Sequence, residues 1–297
     1  MKVLITGGAG FIGSHVADAY LEAGAQVLVV DDLSSGSVDN LDRRLRLIEM
    51  DIRSPELRDV FTAERPEIVN HHAAQIDVRR SVADPQMDAS TNILGALNVL
   101  ECARQQQVSR FLYASTGGAV YGEPVELPCR EDHPIRPICP YGASKHAFEH
   151  YLEMYSALYG LPYSILRYAN VYGPRQDPLG EAGVVAIFTA KMLAGEAIVV
   201  NGDGEQTRDF VFVGDVARAN LLATGLGEAC GTFNIGTGVG TSINEVFGHL
   251  KRATGYRLAP SHGPAKHGET RHIYLDSSHA AEVLGWSAEV ALGSGLA

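Results

Sequence analysis

Short apolar runs alternate with stretches of helical spacing along the first half of the chain. Each run holds four to seven residues, the length of a buried strand, and polar and apolar residues at a helical period follow it. The repeated strand-helix-strand units predict an α/β fold, a doubly wound parallel sheet of the Rossmann type. The runs are 3–6, 27–30, 45–50, 67–71 and 111–115, and clear helical stretches are 15–23 and 92–107.

The second half begins with a long helical stretch and then changes character. Gly160 and Pro162 are stop signals, so a helix is predicted over 141–159, followed by a strand over Tyr163–Tyr168. Beyond residue 174 the predicted elements are shorter and glycine is frequent. We predict a Rossmann-type domain over 1–170, with sheet contributions from later segments, and a smaller lobe mainly over 171–297 that lies over the strand ends, where open α/β sheets bind ligands. The shorter elements are strands at 198–201, 210–213 and 233–236 and a helix over 243–253; no helix is predicted over 292–297.

Composition narrows the class of protein. The formal net charge of −11 at pH 7 argues against nucleic-acid or anionic-membrane partners, which require a basic surface. The four cysteines are scattered, and the 11 histidines show no metal-ligand spacing, so we expect neither a disulfide framework nor a metal site. His71 and His72 would point to opposite faces of a strand. No signal peptide and no apolar run of about 18 residues is evident, which makes a reducing cytoplasm the expected location.

A glycine-rich segment joins the first strand to the first helix. It reads Thr6-Gly7-Gly8-Ala9-Gly10-Phe11-Ile12-Gly13. Such glycines permit a tight turn and let a pyrophosphate approach backbone N–H groups at the positive end of a helix. A glycine turn used only for packing is the alternative, and the context of the motif decides between them.

The carboxylates that end the next two strands supply that context. Asp31 lies 18 residues beyond Gly13, close to the spacing at which a carboxylate meets the adenosine ribose hydroxyls. It would repel a 2′-phosphate, so the pattern favours NAD over NADP. Asp51, after the third strand, is a candidate acceptor for the adenine amino group or a simple strand-end cap.

Tyr141 and Lys145 form a candidate catalytic pair at the start of the long predicted helix. Residues four apart on a helix share one face. An ammonium beside a phenol favours the phenolate and lowers the tyrosine pKa from its usual value of about 10, which suits the phenol to general-base work. The pair follows the strand ending at Ser115 and Thr116 in a chain that carries a nucleotide loop at its beginning.

Taken together, these motifs resemble the extended short-chain dehydrogenases/reductases of the NAD-dependent epimerase/dehydratase type, and within them the nucleotide-sugar epimerases of the UDP-glucose 4-epimerase type. The resemblance covers about residues 1–290. Its motifs are very specific for the superfamily and less specific for the substrate. They are residues 6–13, Asp31-Asp32-Leu33, Asp51-Ile52, His71-His72-Ala73-Ala74, Asn92, 115–123, 141–145, 166–174 and Arg208-Asp209.

The resemblance implies an isomerase that inverts C4 of a UDP-hexose, UDP-glucose or UDP-galactose, through a transient 4-keto sugar. Tyr141 would take the proton of the 4-hydroxyl while hydride passes to the nicotinamide, and the hydride would return to the other face. Lys145 would hold the nicotinamide ribose and keep Tyr141 acidic. A homodimer formed through the helices beginning near Met87 and at Tyr141 is implied as well. The alternatives are a 4-epimerase of UDP-N-acetylglucosamine or UDP-glucuronate, or a dinucleotide-binding sensor without catalysis.

The resemblance also assigns residues to the cofactor. Tyr141 and Lys145 would contact NAD as well as act in catalysis. The other residues assigned to NAD are Gly7, Gly10, Phe11, Ile12, Asp31, Asp32, Ser34, Ser35, Gly36, Asp51, Ile52, His72, Ala73, Ala74, Gln75, Asn92, Ser115 and Tyr168.

Two glycines follow the strand-end hydroxyls. Related sugar-nucleotide dehydratases carry Asp-Glu after the strand-end Thr, and decarboxylating relatives carry Glu, whereas this chain has Gly117 and Gly118. The resemblance therefore disfavours elimination. The hydroxyl that epimerases usually place near the sugar O4 aligns with Gly117, so Thr116 is the expected substitute and Ser115 the reserve candidate.

The remaining assignments concern the substrate. Asn170, Val184, Arg208, Lys266 and Glu269 are implied to bind the UDP-sugar. Lys266 stands where the family usually has Arg, so the phosphate clamp is expected to be weaker or shared with Arg175 or Arg271. Asp77 would bond sugar hydroxyls or only pair with Arg79 or Arg80.

Overall fold

A computed structural model describes residues 1–179, 183–265 and 270–297. Seven strands form one parallel sheet in the order β3-β2-β1-β4-β5-β6-β11, which confirms the predicted doubly wound fold. Its strands are β1 Lys2–Thr6, β2 Gln26–Asp31, β3 Arg46–Glu49, β4 Ile68–His71, β5 Arg110–Thr116, β6 Tyr163–Tyr168 and β11 Gly231–Ile235.

Helices cover both faces of this sheet. Buried residues of α1, α9 and α11 pack on one face, and those of α2, α5 and α7 pack on the other. The helices are α1 Phe11–Glu22, α2 Leu57–Glu64, α3 Val78–Ala83, α4 Pro85–Ala89, α5 Ala96–Gln105, α6 Gly117–Val120, α7 Pro140–Tyr159, α8 Val184–Leu193, α9 Val213–Thr224, α10 Ile243–Thr254, α11 Ser278–Leu284 and α12 Leu292–Gly295.

Short strand pairs build the region beyond the sheet. There β7 pairs with β10, β9 with β12 and β14, and β8 with β13, while α8 and α10 pack around a separate apolar cluster. The boundary at residue 170 stays a prediction, although β11 shows that a later segment does enter the main sheet. These strands are β7 Asn170–Tyr172, β8 Val199–Asn201, β9 Thr207–Arg208, β10 Phe210–Phe212, β12 Thr241–Ser242, β13 Ser261–Gly263 and β14 His272–Ile273.

Three predicted elements differ from the structure. The first helix begins at Phe11, four residues earlier than its periodicity indicates. The helix predicted over 92–107 opens as a π-helical segment, Ser90–Gly95, in which a Cβ added to Gly95 would stand 2.9 Å from Ile52 Cδ1. The expectation of no closing helix is wrong, because α12 forms where Leu292 and Leu296 pack against the cluster of α8 and α10.

The strand order reverses between β1 and β4, the point at which open α/β sheets bind ligands. The glycine loop follows β1, and the segment from His72 to Gln75 follows β4, so both lie at the carboxyl ends of these strands. The candidate site lies at this end of the sheet.

Candidate active site

Tyr141 and Lys145 lie in the first two turns of α7. The helix begins with Pro140, and the thiol of Cys139 accepts a hydrogen bond from the Gly142 N–H at 3.5 Å. Proline suits the first helical position because its missing N–H would have no partner there. Their spacing of four residues places Tyr141 and Lys145 on one face of the helix, as predicted.

Lys145 is buried under the sheet end, with only 3% of its surface exposed. Its Nζ lies 4.4 Å from the centroid of the Tyr113 ring, a cation–π contact. Burial lowers the pKa of Lys145 to about 7, and the negative charges of Glu149 and Asp88 oppose this shift. The protein environment therefore brings the pKa of the Lys145 ammonium close to neutral pH.

Glu149, one turn beyond Lys145, is the centre of a buried hydrogen-bond network. Its carboxylate accepts from Ser115 Oγ at 2.5 Å, from Arg167 at 3.1 and 2.7 Å, and from His146 Nδ1 at 2.8 Å. Burial alone would raise the pKa of Glu149, but these donors lower it to about 2. Arg167 also donates to the Tyr121 hydroxyl at 3.0 Å. Glu149 is thus an ionised carboxylate with a full set of partners.

The glycine loop has the shape that a pyrophosphate requires. Gly7 has φ +69°, and a Cβ there would stand 2.5 Å from Ala73 N. A Cβ on Gly13 would stand 2.1 Å from the Gly7 carbonyl oxygen. Gly10 caps α1, whose first turn, beginning at Phe11 and Ile12, holds no carboxylate that would compete for its N–H groups. Loop and helix end therefore fit a dinucleotide phosphate.

Asp31 ties the glycine loop to the end of β2. Its carboxylate accepts from Ala9 N and from Leu33 N, each at 2.9 Å. Burial raises the pKa of Asp31, and these two backbone donors oppose the shift. This position beside the loop fits the predicted contact with the adenosine ribose. Asp32 accepts from Ser34, both exposed, near exposed Ser35.

Two further cofactor candidates lie close to the same loop. A Cβ on Gly36 would stand 2.9 Å from the carbonyl carbon of Ala9, so this segment runs directly over the loop. Asp51 lies two residues beyond β3 and pairs with Arg53 at 2.5 Å, while its neighbour Ile52 is buried. Its contact with adenine stays a prediction.

The segment after β4 is held by Asn92. The Asn92 amide exchanges hydrogen bonds with the backbone of Gln75, 2.8 and 2.9 Å, and donates to Ser144 Oγ at 3.1 Å. Asn92 is 2% exposed. It therefore fastens the loop that carries Ala73 and Ala74 to the start of α7.

His71 and His72 point to opposite faces of the sheet, as predicted. The His71 ring stacks on Tyr113, whereas the His72 ring stacks on Tyr168 at a centroid distance of 6.2 Å. Burial, then the charge of Lys145, lowers the pKa of His72 to about 3. Tyr168 accepts from Asn220 at 2.8 Å. His72 is a neutral ring in the predicted cofactor cleft.

The two strand-end hydroxyls have different surroundings. Ser115 is buried and donates to Glu149, whereas Thr116 is half-buried at the start of α6. A Cβ on Gly118 would lie 3.8 Å from both Thr116 Oγ1 and Asn170 Oδ1, which places these two polar groups around one small space. A Cβ on Gly117 would stand 2.5 Å from Leu275 Cδ1. A side chain at 117 would meet the buried Leu275, and the Ser115 hydroxyl is already bonded to Glu149. This geometry favours Thr116 as the hydroxyl near a substrate.

The predicted substrate residues lie on the surrounding elements. Val184 begins α8, and the guanidinium of Arg208 on β9 donates to the backbone oxygens of Thr207 and Arg271 at 2.8 and 3.4 Å. Asp77 caps α3 by accepting from Arg79 N and Arg80 N at 2.7 and 3.0 Å. Its carboxylate also lies 3.5 Å from the Arg79 guanidinium.

Of Lys266 and the two arginines expected to share the diphosphate with it, the structure describes Arg175 and Arg271. Lys266 and Glu269 lie outside the described residues. Arg271 pairs with Asp203 at 2.8 Å, and Arg175 pairs with Asp18 at 2.8 Å. Both of the alternative phosphate ligands are thus held by carboxylates in this conformation.

Two searches cover the part of the chain that the structure describes. No three His, Cys, Asp or Glu side chains gather there into a cluster that could hold a metal ion. None of its helices is both long enough and apolar enough to cross a membrane.

Two carboxylates of the site were missed in the sequence. Glu149 follows Lys145 by four residues, and Asp88 precedes Asn92 by four. Helical spacing from an assigned residue is the signal that could have found both. Each is 1% exposed, and their importance comes from burial, which the sequence does not show.

The structure combines a doubly wound sheet, a glycine loop at its switch point and a Tyr-Lys pair on the adjoining helix. These features together are typical of a dinucleotide-dependent short-chain dehydrogenase/reductase. The profile of the NAD dependent epimerase/dehydratase family matches residues 3–236. The chain belongs to that family, which confirms the predicted family and the prediction of NAD as cofactor.

Named relatives cover the whole chain. The crystal structure of UDP-glucose 4-epimerase with UDP-glucose from Thermotoga maritima is 51% identical, with a TM-score of 0.96 over 100% of this chain and 96% of that one. UDP-glucose 4-epimerase of Mycolicibacterium smegmatis is 45% identical over 100% of this chain and 96% of its own length. UDP-N-acetylglucosamine 4-epimerase from Methanobrevibacter ruminantium, solved with UDP-N-acetylmuramic acid, is 32% identical, with a TM-score of 0.93 over 99% and 96% of the two chains.

Proposed function

We propose that this protein interconverts UDP-glucose and UDP-galactose by NAD-dependent inversion at C4. The observation that carries the proposal is the placement of half-buried Tyr141 and buried Lys145 on one face of α7, the helix that packs against β5 and α6, where Thr116 supplies the strand-end hydroxyl. Bound NAD supplies the oxidant that accepts a hydride from the sugar and returns it. The full-length similarity to enzymes named UDP-glucose 4-epimerase supports the same reaction.

The chain's own residues handle the proton and the orientation of the sugar. Tyr141 takes the proton from the 4-hydroxyl and returns it when the opposite face is reduced. Lys145, as an ammonium, stabilises the phenolate of Tyr141. Thr116 hydrogen-bonds the sugar near O4, and Asn170 lies close enough to share that space. Arg208 provides positive charge for the diphosphate.

Inversion without elimination follows from the two glycines after Thr116. Removal of water from a 4-keto sugar needs a base at C5 and an acid at C6. Positions 117 and 118 offer neither, and a side chain at 117 would meet Leu275. We therefore expect the 4-keto sugar to be reduced again rather than dehydrated.

A 4-epimerase acting on UDP-N-acetylglucosamine is the second candidate. The observation that favours it is the relative of that name, which shares the fold over nearly the whole chain. UDP-glucuronate is the remaining alternative, and a sensor without catalysis would have no use for Tyr141 beside Lys145.

We also propose a homodimer in the cytoplasm. Large apolar side chains lie exposed on the π segment and on the far end of α7, with Leu94 63%, Met154 46% and Leu158 70% exposed. Pairing of these helices across a two-fold axis would cover them in a four-helix contact.

Product analysis tests the reaction and the sugar together. The purified protein with NAD is incubated separately with UDP-galactose, UDP-N-acetylgalactosamine and UDP-glucuronate, and the products are followed by NMR. We expect C4 inversion of UDP-galactose with no loss of water or carbon dioxide. Inversion of only the N-acetylated sugar would establish the second candidate. Binding of NAD with no conversion and no nicotinamide reduction would favour the sensor.

A further inference from the structure

Asp88 is a buried carboxylate beside the catalytic helix that the proposed reaction does not yet use. It lies on α4, which packs against α7, and it is 1% exposed. Its Oδ1 accepts from Gln75 Nε2 at 2.9 Å and from Asn92 Nδ2 at 3.1 Å. Its Oδ2 is buried and has no hydrogen-bond partner within the described residues.

The hydrogen bonds of Asp88 lead directly to the start of α7. The amide that donates to Asp88 also donates to Ser144 Oγ at 3.1 Å, and Ser144 immediately precedes Lys145. Asp88 is thus fixed in orientation by two amides and joined to the helix turn that carries the Tyr141–Lys145 pair.

The charges around Lys145 are unequally balanced. Glu149 on the same helix is already paired with Arg167, whose guanidinium lies 2.7 Å from its carboxylate, although its charge still acts on Lys145. Asp88 has no cationic side chain within ion-pair distance among residues 1–179, 183–265 and 270–297. A buried charge is tolerated when a nearby opposite charge compensates it. Within the described part of the chain, neither Lys145 nor Asp88 has such a direct partner near the start of α7.

Among the residues that the structure describes, the other groups facing Lys145 supply no further negative charge. Tyr141 shares its helix face, and Tyr113 from β5 lies beneath its Nζ. His71 and His72 at the end of β4 would repel it if charged, and burial lowers the pKa of both rings. The charges of Glu149 and Asp88 both raise the pKa of Lys145 against the larger effect of burial.

We propose that Asp88 is a positioning residue whose negative charge keeps a proton on the Tyr141–Lys145 pair, so that Lys145 remains an ammonium beside Tyr141 at neutral pH. This inference rests on the proposed function, because it assigns Tyr141 and Lys145 to catalysis. Because only 1% of its surface is exposed, Asp88 is assigned no contact with the sugar or the nicotinamide. It acts through the protonation of the pair, and the two proton losses belong to the pair as a whole.

The test replaces Asp88→Asn, which keeps the shape and the Oδ1 acceptor and removes the charge. Whichever partner holds the proton, loss of a nearby negative charge makes both proton losses easier. The bell-shaped pH profile of kcat/KM should therefore move to lower pH on both limbs, by about one unit for charges several Å apart in a partly screened interior. Asp88→Glu, which retains the charge, should keep the wild-type limbs even if its maximum falls.

A second readout does not depend on the sugar. Tyrosinate absorbance of the NAD-loaded protein is titrated with pH, and the titration of Tyr141→Phe is subtracted so that only Tyr141 is reported. In Asp88→Asn this signal should also appear at lower pH. If the substrate were misassigned, sugar conversion would be absent while the absorbance shift remained, which separates the two proposals.

The matched control is Asp215→Asn, at a 3% exposed aspartate on α9, against the opposite face of the sheet. It should lower thermal stability and leave the pH limbs in place. Should Asp88→Asn fail to fold, Asp88→Ser removes the same charge from a smaller side chain and must give the same shift. Unmoved limbs and an unmoved tyrosinate titration in the folded neutral variants would overturn the proposal.

Discussion

Two neighbouring clusters of buried polar groups contact α7, and they differ in how their charges are satisfied. The Glu149 cluster comprises Ser115, Tyr121, His146, Glu149 and Arg167, and its carboxylate is an acceptor for three side chains. The Lys145 cluster comprises His72, Asp88, Tyr113 and Lys145. Within the described ranges it contains two buried polar atoms without hydrogen-bond partners, His72 Nε2 and Asp88 Oδ2.

The difference separates a structural role from a functional one. A fully paired buried charge resists titration and fixes the fold, as the pKa of about 2 for Glu149 shows. A poorly compensated one titrates near neutrality, as the pKa of about 7 for Lys145 shows. Perturbed groups of the second kind are typical of catalytic sites. The comparison predicts that changes in the Glu149 cluster alter stability and changes around Lys145 alter turnover.

The largest effect is expected for Tyr141→Phe. Loss of the proton acceptor should lower kcat by about 10²–10⁴-fold, the usual contribution of general acid–base catalysis, with little change in thermal stability. Steady-state kinetics and thermal unfolding measure the two quantities. Tyr151→Phe on the same helix is the control and should leave turnover within a factor of about two. Undiminished turnover in Tyr141→Phe would contradict the functional role assigned to the surroundings of Lys145.

Glu149→Gln should have the next largest effect, on stability. Removing one member of a buried ion pair leaves Arg167 uncompensated, so the free energy of unfolding should fall by about 3–5 kcal/mol. Denaturant titration measures the loss. Glu153→Gln, in the exposed pair with His150 at 3.6 Å on the same helix, should cost at most about 1 kcal/mol. Equal losses in the two variants would contradict the structural role of the Glu149 cluster.

Acid should destabilise the protein in two stages. The pKa of His72 is lowered from 6.5 to about 3, and that of Glu149 from 4.5 to about 2. The unfolded chain therefore binds protons before the folded one, and stability present at neutral pH is lost as pH falls through these windows. At about 1.4 kcal/mol per pKa unit, the full loss should be about 5 kcal/mol for His72 and about 3 kcal/mol for Glu149. Urea unfolding between pH 7 and pH 3 measures it, and Glu149→Gln should show a shallower slope below pH 4.5. The same slope in both proteins would exclude Glu149 as a source.

The smallest effects should come from the two adjacent hydroxyls. Thr116→Val removes a hydrogen bond near the reacting sugar and should lower kcat by about tenfold, with unchanged stability. Ser115→Ala removes a donor to Glu149 and should lower stability by about 1–2 kcal/mol, with kcat largely retained. Kinetics and unfolding of both variants sharpen the comparison, and an exchange of the two outcomes would make Ser115 the functional hydroxyl.

Local sequence signals determined much of the secondary structure and the fold class of the protein. Strand and helix periods depend on neighbours within a few positions, so the parallel sheet, the long helix and the glycine turn could all be predicted. The Tyr141–Lys145 face follows from helical spacing alone. The wrong predictions concern elements that depend on contacts between distant parts of the chain. One is α12, which forms where Leu292 and Leu296 pack against the apolar cluster of α8 and α10.

Only the tertiary structure decided which buried polar groups have hydrogen-bond partners and opposite charges nearby. Glu149 meets Ser115 and Arg167 because β5 and β6 pair beneath α7, and Asp88 approaches Lys145 because α4 packs on α7. Electrostatic effects depend on burial and on distances between segments far apart in the chain, and neither quantity is encoded in local spacing. The sequence therefore indicated the proposed catalytic residues, while the packing set the charges that surround them.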